Sequence, residues 1–143
     1  MNDWEAIDVL NDLLAAEQRS LLARLAETRP FLSWAGAEQA PILRQLVADQ
    51  RDHQRRLTET IDALGGVPRI PTGDISSAGA HYIDIHHLLP KLLEDLRAMI
   101  DASRRATELL GNHRGGETVT AIHARHEAHA EQLEAMSKYV PDN

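Results

Sequence analysis

Apolar residues recur at alternating steps of three and four in four long segments of the chain, the spacing of one helix face. The first stripe runs Ile7, Leu10, Leu14, Leu21, Leu25, with Glu17 in the middle. The second runs Leu43, Leu46, Leu57, Ile61, Leu64 and is broken by Gln50 and His53. The last runs Val119, Ile122, Leu133, Met136, Val140 and is broken by His126 and His129. Only the third, Ile85, Leu89, Leu92 or Leu93, Leu96, Ile100, Ser103, Thr107, Leu110, carries no ionisable group. A buried polar group without a partner costs roughly 1–3 kcal/mol. Five such groups in one core call for a common cause, and a bound metal ion is the economical one.

Start and stop signals turn the stripes into elements. Helix A spans about 3–28, capped by Asn2 or Asp3 and stopped by Pro30. Helix B spans 41–64, opening on Pro41 and ending at Gly65-Gly66. Helix C spans 84–110, with Pro90 tolerable only near its start, and helix D spans 117–140, between Gly115-Gly116 and Pro141. Residues 67–80 have no period and hold Pro68, Pro71, Gly73 and Gly79. Such a connection can carry the chain back to the opposite end and set B parallel to C. The expectation is a single all-α domain over 1–143, an up-down four-helix bundle with a long B–C crossover.

Composition narrows the chemistry. The chain has 143 residues, 43% of them apolar and 3% aromatic, which suits one helical core. A formal charge of −7 disfavours nucleic acid and acidic membrane surfaces as partners. The basic cluster Arg51, Arg55, Arg56 is flanked by Asp49, Asp52 and Glu59 and reads as a solvated face. With no cysteine, any metal site must use histidine and carboxylate. No signal-like start and no run of about 20 apolar residues occurs, so a cytoplasmic protein is expected. Leu-rich outer faces on helices A and C make a homodimer an expectation.

The polar interruptions fall at one height. An A–B hairpin centred near Trp34 sets Glu17 beside Gln50 and His53. A C–D hairpin centred near His113 sets His126 and His129 at mid-bundle. Glu17, His53, His126 and His129 therefore form the candidate ligand set, with Gln50 and Glu94 as weaker members. Glu94 has the right height but faces the flank of helix C. Other readings stand beside this one: Glu17 ion-paired to Arg55 or Arg125, Gln50 bonded across the bundle, or a metal-free Glu–His network. His81, His86 and His87 cluster near the start of helix C, and His113 and His123 read as loop and surface positions.

These residues carry a resemblance. The run from Leu10 to Gln18 around Glu17 resembles the first metal-ligand helix of the ferritin-like superfamily, of bacterioferritin and rubrerythrin type. Gln50-Arg-Asp-His53, with the exit Leu64-Gly-Gly-Val-Pro68, resembles that family's Glu-x-x-His helix, and His126-Glu-Ala-His129 its second one. The resemblance implies a ferritin-like four-helix bundle serving iron–oxygen or peroxide chemistry, or metal handling. It departs where the family has carboxylates that bridge two irons, since Gln50 and His126 stand there. The remaining donors suit one divalent ion, iron or zinc, better than two irons. The stretch from Ile122 to Leu133 also resembles the last helix of DinB-like bundles, which implies a metal-dependent thiol transferase or hydrolase using His53, His126 and His129. A metal-free bundle acting through its surface is the third reading, and the sequence leaves open whether the chain is an enzyme.

Overall fold

The computed structural model describes residues 1–26, 40–69 and 85–138. Five helices lie in them: α1 Asp3–Arg19, α2 Leu21–Ala26, α3 Ala40–Ala63, α4 Ile85–Leu110 and α5 Gly116–Lys138. No strand occurs among the described residues. No helix among them is long and apolar enough to cross a membrane.

α1 starts at a reciprocal cap, in which the Asn2 side chain accepts from Glu5 N at 2.8 Å and the Glu5 carboxylate accepts from Asn2 N. The sequence predicts one helix over 3–28, but the structure breaks it at Ser20. Ser20 turns to an extended backbone, donates its hydroxyl to Glu17 O at 2.7 Å, and accepts from Ala23 N at 3.2 Å. Asp95 of α4 accepts from Leu21 N at 3.0 Å. The break is thus capped on both sides, which offsets the loss of continuous helical bonding.

Contacts at one end fix the directions of the long helices. His113, in the α4–α5 turn, lies 2.8 Å from Asp3 at the start of α1. A side chain on Gly115 of that turn would touch Leu10 and Leu64. The starts of α1 and α5 and the ends of α3 and α4 therefore share one end, so α3 and α4 run parallel. The 24 residues of α3 span about 36 Å, which the segment between it and α4 must recross. This is the up-down bundle with a long second crossover. α4 passes through Pro90, whose ring is exposed.

The crossover begins with a fastened strap. Buried Asn11 donates to Val67 O at 3.2 Å and accepts from Arg69 N at 2.8 Å, while the Arg69 guanidinium reaches Asp12 and Asp8. Two glycines make the strap's approach feasible. Gly65 sits at φ +86°, and a Cβ on Gly66 would lie 2.7 Å from Ile7 Cγ2. Gly66→Ala is expected to cost about 1–3 kcal/mol through overpacking. An unchanged urea midpoint would contradict that close approach.

The core falls into two apolar halves. Ile7, Leu10, Leu14, Leu57, Ile61, Leu110 and Ile122 belong to the half nearer the α4–α5 turn. Leu22, Leu43, Leu46, Leu92, Leu133 and Met136 belong to the other. Along α1 and α2, α3, and α5 the halves are separated by Glu17, by Gln50 and His53, and by His126 and His129. α4 crosses the same level with Leu96, Met99 and Ser103, so the polar layer is closed on that side mainly by apolar packing.

Candidate metal centre

All five polar interruptions are buried, none more than 2% exposed. Glu17 stands in the last turn of α1, and the break after it leaves its carbonyl without the next helical donor. That oxygen instead takes Ser20 N, Ser20 Oγ and, at 2.9 Å, the Gln50 amide. The same amide nitrogen lies 2.6 Å from Glu17 Oε2. Both neighbours are acceptors, so the NH₂ end of Gln50 must face them. The other carboxylate oxygen, Oε1, lies 2.5 Å from His126 Nε2.

His53 and His126 meet edge to face with ring centres 4.9 Å apart. One donor atom from each of Glu17, His53 and His126 falls within 4.8 Å of the others. Ligands of a tetrahedral ion at bond lengths of about 2.0–2.2 Å lie roughly 3.4 Å apart, so small side-chain rotations separate this cluster from a coordinating one. His129 stands further off, its ring centre 6.2 Å from His53 and 6.3 Å from His126. Its Nε2 lies 2.7 Å from Asp49 Oδ2, which also accepts from Arg125 Nε at 2.7 Å.

Burial pushes His53 from its ordinary 6.5 down to about 4, against the pull of Glu17 and helped by the two neighbouring histidines. Burial lowers His129 as well, against the bond to Asp49. A neutral His129 bonded to a carboxylate donates Nε2–H and keeps its lone pair on Nδ1. Asp49 is pushed up by burial, yet bonds from His129, Arg125 and Gln45 outweigh this and hold it below the ordinary carboxylate range.

Glu17, His53 and His126 are donors of the kind that hold a divalent cation. Nδ1 of His53, His126 and His129 are all buried and have no hydrogen-bond partner. Buried nitrogens left without a partner cost roughly 1–3 kcal/mol each, which a bound ion or an ordered water would offset. The Gln50 amide nitrogen is bonded to Glu17. Glu94 is exposed on α4 and is not brought to the cluster. His81 lies outside the described residues, and His86 and His87 lie on the first turn of α4.

Arg55 pairs with Asp52 and Glu59 and Arg125 with Asp49, so neither neutralises Glu17. Asp49 is the residue that sequence reasoning placed on a solvated face. It sits beside Gln50, off the apolar stripe, and helical period alone gives it no signal. His113 is held by Asp3, and His123 bridges Ser103 Oγ, at 3.0 Å, and Glu127, at 2.7 Å. Ser103 is fully buried and its hydroxyl also faces the Met99 and Ile100 carbonyls, so this trio is structural.

Acid is expected to destabilise the metal-free protein through His53. Its unfolded form takes a proton near pH 6.5 and its folded form only near 4, so its contribution is complete above 6.5. It is lost progressively as pH falls from 6.5 to 4, by roughly 3 kcal/mol at most. Urea midpoints over that range check this. A His53→Gln variant with the same pH slope as wild type would contradict it.

No family model and no curated protein matches the chain. A crystal structure of ferritin-like, diiron-carboxylate proteins from Bacillus anthracis str. Ames does, with a TM-score of 0.71 at 21% sequence identity. The match covers 95% of this chain and 97% of that one. The chain has the fold of a ferritin-like helical bundle.

Proposed function

We propose that the chain is a metal-binding protein of ferritin-like fold, with one divalent ion held at mid-bundle by Glu17, His53 and His126 and with His129 beside them. The observation that carries this is the convergence of three fully buried side chains, Glu17, His53 and His126, each with a donor atom within 4.8 Å of the others. Iron and zinc both suit a donor set of imidazole and carboxylate. The diiron-carboxylate character of the similar structure supports iron. The donors present support a single ion, because Glu17 is the one fully buried carboxylate among the described residues. Inclusion of Glu17 and the turning of His129 to Asp49 favour this frame over a purely three-histidine site.

A bound ion would act there as a Lewis acid or, if iron, as a redox centre. The protein's own part is orientation and exclusion of water. Gln50 and His126 aim the Glu17 carboxylate, and Asp49 fixes the tautomer of His129. A narrow, largely apolar cavity of about 10 Å³, the room of about one water, adjoins the layer and is bordered by Ser20, Gln50, Leu92, Asp95 and Met99. Reaction with oxygen or peroxide, or storage and delivery of the metal, is the role this arrangement supports.

Cobalt substitution tests the ligand set. Co²⁺ added to metal-free protein is expected to give visible absorption bands that saturate at one equivalent and vanish in His53→Ala. Bands unchanged in that variant would remove His53 from the site.

A further inference from the structure

Gln50 occupies the position where the ferritin-like pattern has a carboxylate, and its geometry gives it a different task. It is 1% exposed and its nitrogen reaches two atoms of one residue, Glu17 Oε2 at 2.6 Å and Glu17 O at 2.9 Å. An amide has two N–H groups, and both are spent here. The side chain therefore ties the Glu17 carboxylate to the Glu17 backbone, at the point where α1 ends.

The consequence concerns how many ions the layer can hold. Oε2 of Glu17 receives an amide proton, while Oε1 faces a candidate ligand, His126 Nε2 at 2.5 Å, and would meet an ion that replaced the proton between them. A carboxylate held this way offers one oxygen to one cation. Two divalent ions would bring four positive charges against the single charge of Glu17. The acids beside the layer are engaged elsewhere, Asp49 by Arg125 and His129 and Asp95 by Leu21 N. Gln50 is neutral and presents a donor where a second cation would need an anionic acceptor.

We infer that Gln50 is the residue that restricts this centre to one divalent ion, by clamping Glu17 as a single-oxygen ligand and withholding the second carboxylate. Gln50 is a positioning residue and not a ligand. The inference rests on the metal-binding reading above, and the experiment separates the two.

Zn²⁺ binding is measured by calorimetry on metal-free protein, with the bound metal counted after gel filtration, for wild type, Gln50→Met and Gln50→Glu. Wild type is expected to bind one Zn²⁺ per chain. Gln50→Met, similar in size but without donors, is expected to keep one Zn²⁺ with about 10–100-fold weaker affinity, as for loss of other groups that orient ligands. With Co²⁺ its visible spectrum is expected to change, because Glu17 becomes free to use both oxygens. Gln50→Glu is expected to bind a second, weaker equivalent. Should the added buried charge prevent Gln50→Glu from folding, as circular dichroism would show, Gln50→Met carries the test. Two ions in wild type, wild-type affinity and spectrum in Gln50→Met, or one unaltered site in folded Gln50→Glu would each overturn the inference. No Zn²⁺ in any variant would remove the metal-binding reading itself.

Discussion

Replacing Glu17 with alanine is expected to cost about 3–5 kcal/mol of stability and to abolish metal binding. The substitution removes an acceptor from two buried groups at once, His126 Nε2 and the Gln50 amide, which keeps only its bond to the residue 17 carbonyl. It also opens a cavity at a fully buried position. Domains of this size have total stabilities of about 5–15 kcal/mol, so the loss is a large share. Glu17→Gln separates the two consequences. It keeps the volume and one accepting oxygen, so it is expected to lose less stability, yet it removes the anionic ligand and with it the metal. Urea denaturation and metal counting on both variants check this. Equal metal content in wild type and Glu17→Gln would contradict the role given to the carboxylate.

Removal of the metal is expected to lower the melting temperature by roughly 10 °C. A ligand present at a hundred times its dissociation constant adds about 2.7 kcal/mol to the folded state. For a chain of this length each kcal/mol moves the midpoint by several degrees. The gain arises at the buried cluster of Glu17, His53 and His126. The expected result is a chelator-induced drop that one equivalent of metal restores and that is absent in His53→Ala. A chelator-insensitive melting curve in metal-loaded wild type would show that the layer is stable on its own hydrogen bonds.

The helices and the buried layer were legible because both rest on a single period. Glu17, Gln50, His53, His126 and His129 each fall on an apolar stripe, and each is buried in the structure. The break at Ser20 was hidden by the same signal, since Leu21 and Leu25 continue the stripe across it. Its cause is partly non-local, because Asp95 of α4 caps Leu21 N. Asp49 was illegible for a similar reason. One residue before Gln50 lies about 100° away around the helix, and only the approach of α5, with Arg125 and His129, gives that side a function. On α4 the buried residue is Met99 where the stripe reads Ile100, a shift of one position. Period sets the apolar face but not its centre. Gln50 was legible as buried but not as a clamp, because its bonds run to another helix.

The most direct measurement is the metal content, by inductively coupled plasma mass spectrometry, of protein purified without added metal and again after reconstitution with Fe²⁺ or Zn²⁺. His126→Ala, measured in parallel, serves as the reference. The expected result is about one ion per chain in wild type and none in the variant. A wild type that holds no ion even after reconstitution would contradict the metal centre and leave Glu17, Gln50 and the three histidines as a hydrogen-bonded layer of the bundle.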